Sequence, residues 1–136
     1  MKNLRVYIDK DKHELYEKLV KRGSDNPDNY PFQTMKDLFM VAACLGARNN
    51  SFEEIKSSKD IFNSDVFEEK MDVPILASLA FQKEKSLSVL NDEKKILEIA
   101  QGYANRGIDD VYNAILNNPG RPLFNYIEWL LEQIES

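Results

Sequence analysis

Apolar residues recur at helical spacing over most of this chain, and the gaps between the recurrences divide it into segments. After a short alternating stretch, LRVYI at residues 4–8, which predicts a strand or extended arm, residues 10–22 place Leu15, Tyr16, Leu19 and Val20 on one helical stripe. GSDNPDNYP (residues 23–31) is turn chemistry throughout and predicts an exposed loop. The next segment is different. From Met35 to Leu45 the residues Leu38, Phe39, Val41, Ala42, Ala43 and Cys44 cover most of a helix's circumference, so this helix belongs in the interior. Thr34 followed by Asp37 approximates a capping box at its start, and Gly46 is the expected stop.

Residues 49–72 are polar and punctuated, with isolated apolar anchors at Phe52, Ile55, Ile61, Phe62, Val66 and Phe67. They predict short helical turns, one capped by Ser64 or Asp65. Asp72 and Pro74 open a helix carrying Ile75, Leu76, Leu79, Ala80 and Phe81, which ends near Lys85. Asn91 or Asp92 caps another, with Ile96, Leu97, Ile99, Ala100, Tyr103 and Ala104 inward, and Gly107 is expected to break it. Asp109 and Asp110 suit the start of a further helix with Ile108, Val111, Tyr112, Ile115 and Leu116 as its stripe. NNPGRP ends that one. Pro122 opens the last, in which Leu123, Phe124, Tyr126, Ile127, Leu130, Leu131 and Ile134 are spaced for burial. The expected fold is mainly α: one compact domain over residues 1–136, about six helices around a buried central helix, and at most one short N-terminal strand.

Composition sharpens this picture in two places. The chain has 136 residues, enough for one core, and 43% hydrophobic and 30% charged residues, the balance of a globular protein. The longest strongly apolar run is far below the ~20 residues of a membrane span, and no signal-peptide pattern opens the chain. With a single cysteine, a cytoplasmic location is expected. The net charge of −5 is unevenly distributed, about +1 over residues 1–60 and −6 over residues 61–136. An acidic C-terminal half repels nucleic acid and suits basic protein partners.

Candidate chemistry is sparse. Cys44 sits toward the C-terminal end of an apolar helix, where the dipole opposes a thiolate, so a buried structural thiol is expected. His13 has no second histidine or paired cysteines to share a metal with. The adjacent acids Glu53/Glu54, Glu68/Glu69, Asp92/Glu93 and Asp109/Asp110 diverge on a helix rather than converge. A hydrolytic site would need distant carboxylates, such as Asp37 with Glu53 and Glu54, to be brought together. No enzyme, metal or cofactor is expected. For nucleic acid, Lys18, Lys21, Arg22, Lys36 and Arg48 form a possible phosphate-contacting set in the basic half, with Lys12 and the amides of Asn49 and Asn50 nearby. A helix-turn-helix reading of residues 34–56 fits poorly, because the second element, SFEEIK, presents two glutamates where a recognition helix is basic. Phe124, Tyr126 and Trp129 serve either a core or an interface, and the sequence leaves self-association open.

Three blocks carry a resemblance. Pro31, Phe32, Thr34, Lys36, Asp37, Leu38 and Phe39, then the AACLG ending at residues 42–46, then Tyr103, Ala104, Asn105 and Gly107 resemble the Dnd system-associated protein 4 family, encoded beside DNA phosphorothioation genes. The likeness covers about residues 5–134. It implies a context of modification, restriction and defence against foreign DNA, and partners among the other proteins of that system. It supplies no catalytic residues. The expected function is therefore a non-catalytic accessory or adaptor subunit acting through protein contacts. The alternative is a DNA-binding sensor or regulator using the basic set on duplex DNA.

Overall fold

A computed structural model describes residues 1–135 of the chain. It is mainly helical, as the periodicity predicts. Strand β1 (Arg5–Asp9) leads through a 3-10 turn into helix α1 (His13–Leu19), followed by α2 (Met35–Arg48), β2 (Ser58–Asn63), α3 (Asp72–Glu84), α4 (Glu93–Leu116) and α5 (Pro122–Glu135). Short 3-10 turns also precede α3 and α4.

α2 is the central helix, and α4 lies across it. Thr34 Oγ1 accepts a hydrogen bond from the Asp37 amide at 3.1 Å, the predicted cap. Leu38, Phe39, Met40, Ala42, Ala43 and Leu45 are buried behind it. The expected stop at Gly46 is not one. The helix runs on to Arg48, and Asn50 takes the left-handed conformation at φ 52° that ends the turn. Gly46 serves packing instead: a Cβ there would overlap the carbonyl oxygen of Tyr103 in α4. The expected break at Gly107 is corrected for the same reason. α4 continues unbroken for 24 residues, and a Cβ on Gly107 would overlap the Ala42 carbonyl and stand 3.0 Å from the Gly46 amide nitrogen. The two glycines let two helix backbones touch, and that close approach costs each helix only the ~1 kcal/mol by which glycine trails alanine. One long helix thus replaces two of the expected six.

The polar segment after α2 also differs from expectation. Residues 58–63 form a second strand rather than a helical turn, pairing antiparallel with β1. Val6 faces Phe62 and Ile8 faces Lys59, with an irregularity between Val6 and Tyr7. Arg5 holds Asp60 through a forked contact at 2.7–2.9 Å across the ribbon. Phe62 and Phe67 then pack on Phe39 of α2, with ring centroids 5.4–6.2 Å apart among the three. The cap of the turn at residues 64–66 is Asn63, whose Oδ1 accepts from the Asp65 amide at 2.8 Å, rather than Ser64 or Asp65.

α3 and α4 begin where predicted. Asp92 Oδ1 caps α4 through the Lys95 amide at 3.1 Å. Asp72, by contrast, spends its carboxylate on Lys36 Nζ at 2.9 Å and on the Glu68 amide at 2.9 Å, tying the start of α3 to the start of α2. α1 buries Tyr16 and Leu19 of its predicted stripe, and Val20 bridges to Phe32 at the far end of the loop. The loop is anchored at its middle as well: the Asp28 carbonyl accepts from Leu123 at the start of α5.

Candidate functional site: an exposed helix face

The residues singled out by sequence are dispersed. Lys18 pairs with Glu14 at 3.2 Å and Arg22 with Glu17 at 2.6 Å on α1, where His13 Nδ1 also meets Glu17 at 3.0 Å. Lys21 donates to the Gly23 carbonyl. Lys36 sits at the start of α2, largely buried between Asp72 and Asp37. Burial works against its charge, but the two carboxylates outweigh burial and hold its ammonium above the usual lysine range. Arg48 lies at the other end of α2 and donates to Gln133 of α5 at 3.2 Å. Lys36 and Arg48 are therefore separated by most of a 14-residue helix, while Lys18 lies on α1 and Arg22 just past its end. The segment after Asn50 is irregular and leads into β2, so no second helix follows α2.

The carboxylates are dispersed too. Asp37 belongs to the first turn of α2, whereas Glu53 lies past its end and faces Arg106 at 3.8 Å. Among the described residues no three His, Cys, Asp or Glu side chains stand together as a metal-holding group. The buried Asp9 carboxylate has a different task. It accepts from the Lys56 and Ser57 amides at 2.8 Å and from Asn105 Nδ2 at 2.9 Å, while Asn105 also donates to the Glu53 carbonyl at 3.1 Å. Burial alone lifts this carboxyl, but the Ser57 amide, the Asn105 side chain, the Lys56 amide and the Lys12 charge together bring it below its usual range. In the sequence Asn105 stands out only as part of the block that carries the family resemblance. Its structural role is to staple the connection between α2 and β2 onto α4.

Cys44 is half-buried rather than fully interior. With Met40, Val41, Ile75, Trp129 and Leu130 it lines a shallow apolar groove of about 340 Å³ between α2, α3 and α5. Burial raises the thiol above its ordinary value, and the nearby Asp72 charge adds to this. Such a sulfur is predominantly the protonated thiol at neutral pH and a poor nucleophile. A larger cleft of about 800 Å³ lies between Phe52, Lys83, Glu98 and Gly102, with Lys83 Nζ 4.0 Å from the centre of the Phe52 ring. Gly102 admits that ring, since any Cβ there would overlap it.

The surface least accounted for by the fold is α5. Its apolar residues were expected to be buried. Among the described residues of this helix only Asn125 is buried, and it is polar: its Nδ2 donates to the Ile115 and Asn118 carbonyls at 2.9 and 3.2 Å, closing the end of α4. Tyr126 and Trp129 lean on the body, with the Tyr126 ring 4.7 Å from that of Phe32. The opposite side stays open, with Phe124 51%, Ile127 44%, Leu131 53% and Ile134 78% exposed. Other exposed apolar side chains, Val66, Met71, Phe81 and Leu87 among them, are spread over the segments from residue 66 to 90. Four on one helix face form a patch, and patches of that kind mark contact surfaces.

These features define a mainly helical protein built on a glycine-mediated helix crossing, with one amphipathic helix turned outward. The chain belongs to the DNA sulphur modification system-associated protein 4 family, whose family model matches residues 5–133. The family is thereby associated with a DNA sulphur modification (Dnd) system. No curated protein and no solved structure matches the chain. Among the described residues no helix is long and apolar enough to cross a membrane.

Proposed function

We propose that this chain is a non-catalytic accessory or adaptor subunit of the Dnd system, residing in the cytoplasm and acting by contact with other proteins of the modification and restriction machinery. The observation that carries the reading is α5, on which Phe124, Ile127, Leu131 and Ile134 lie outside the core and face solvent. These four large apolar side chains are 44–78% exposed, and covering the rest would recover on the order of 1 kcal/mol apiece, which a partner would supply. The non-catalytic part is supported by the separation of Asp37 from Glu53 and by the protonated, half-buried thiol of Cys44.

Duplex DNA on Lys18, Lys21, Arg22, Lys36 and Arg48 has less support. Lys18, Arg22 and Lys36 already face carboxylates, and Lys36 and Arg48 stand at opposite ends of α2. Affinity purification of the full chain from cells carrying the whole modification locus tests the reading. Co-purification of the system's other proteins is the expected result. Retention of none of them, together with duplex binding that weakens steeply as salt rises, would transfer the function to DNA.

A further inference from the structure

The α5 face has a chemical sign as well as an apolar stripe. Phe124, Ile127, Leu131 and Ile134 recur at alternating steps of three and four residues, the spacing of the contact seam in paired helices. Glu128, Glu132 and Glu135 follow the stripe along one flank, and none of the three meets a cation among the described residues. On the other flank Leu130 lines the groove that also holds Cys44 and Ile75, so the apolar surface continues from α5 onto α2 and α3. We propose that this face seats an amphipathic helix of another protein, with its apolar seam along α5 and Lys or Arg at the positions opposite Glu128, Glu132 and Glu135. The inference rests on the accessory-subunit reading and specifies its partner.

Charge complementarity selects this occupant. Residues 122–135 contain no basic side chain. The cations beside the face are already engaged, Arg121 with Asp28 at 3.3 Å and over the Phe124 ring, and Arg48 with Gln133 at 3.2 Å. An antiparallel second copy would set one glutamate row against the other, and a parallel copy would offer those rows only the engaged Arg48. The same row repels the anionic headgroups of a bilayer and the phosphates of duplex DNA. A helix with basic flanks satisfies both the stripe and the row.

The test places a photo-cross-linking amino acid at Ile127 or Leu131 of the full chain, in cells carrying the complete modification locus, and sequences the peptide captured. The expected peptide comes from another protein, spaces its apolar residues by threes and fours, and is basic between them. Replacing all three acids (Glu128→Gln, Glu132→Gln, Glu135→Gln) is expected to lower the cross-linking yield by roughly tenfold, the effect of three exposed ion pairs lost. Capture of a second copy, of lipid, of nucleic acid, of an acidic segment or of nothing would overturn the proposal, as would an unchanged yield in the triple variant. Leu131→Asp separates the two levels of inference. If the Leu131→Asp chain still co-purifies with the system's proteins, the accessory role stands and α5 is not the seat. If the wild-type chain retains none of them, the accessory role itself fails.

Discussion

α4 buries twelve of its residues and α5 buries one, although large apolar side chains are the denser on α5. The difference lies in the small residues. α4 carries Ala100, Gly102, Ala104 and Gly107 along the side that meets α2 and Phe52, and these let backbone approach backbone or ring. α5 has no alanine or glycine between residues 122 and 135. It rests on the body chiefly through the half-buried rings of Tyr126 and Trp129 and the buried Asn125, with its opposite side open. Apolar content makes a helix want cover; close approach decides whether its own chain supplies it.

The strongest way to break this contrast is at the crossing. Gly107→Val would force the α4 and α2 backbones apart, because the added carbon meets a carbonyl rather than a side chain that could swing away. Helix propensity offers at most ~1 kcal/mol in return, so a loss of about 3 kcal/mol or more is expected from overpacking. Urea unfolding monitored by circular dichroism would measure it, and an unchanged midpoint would show that the crossing yields easily.

A pair of truncations sharpens the comparison. Ile108 is fully buried on α4, so Ile108→Ala is expected to cost about 2–5 kcal/mol. Ile127→Ala on α5, with the same atoms removed, should change folding stability by about 0.5 kcal/mol or less. Similar losses at both positions would mean that α5 is covered in solution by something that unfolds with it.

The smallest effect concerns acid. Asp9 has a depressed folded-state value, so its contribution is complete above the unfolded carboxyl value of ~3.9 and declines as pH falls through the lower, folded value. Wild-type stability should therefore fall more steeply below about pH 4 than that of Asp9→Asn, whose amide does not titrate there. Parallel slopes in urea titrations from pH 6 to pH 2.5 would remove Asp9 from the account.

Much of this architecture was legible in residue order. The caps at Thr34 and Asp92, the turn chemistry of residues 23–31, the all-round apolar character of α2 and the family likeness each rest on local patterns, and each is found in place. Gly46 and Gly107 were misread because a glycine looks the same whether it ends a helix or admits a neighbour; only the partner helix, more than fifty residues away, distinguishes the two. β2 escaped notice for a similar reason. SKDIFN shows no apolar alternation, since its first three residues are exposed and its pairing is dictated by β1. The exposed stripe of α5 had a correct periodicity and a wrong destination: spacing identifies a face but does not say which molecule covers it.

The crossing of α2 with α4 also governs the protein's synthesis. α2 leaves the ribosome with apolar side chains on nearly every face, and the helix that covers it is completed only about seventy residues later. At ~5–20 residues per second, that interval lasts on the order of ten seconds. During it α2 has only α1, β2 and α3 to pack against, so the side that α4 will cover stays open to water and to other chains until synthesis is nearly finished.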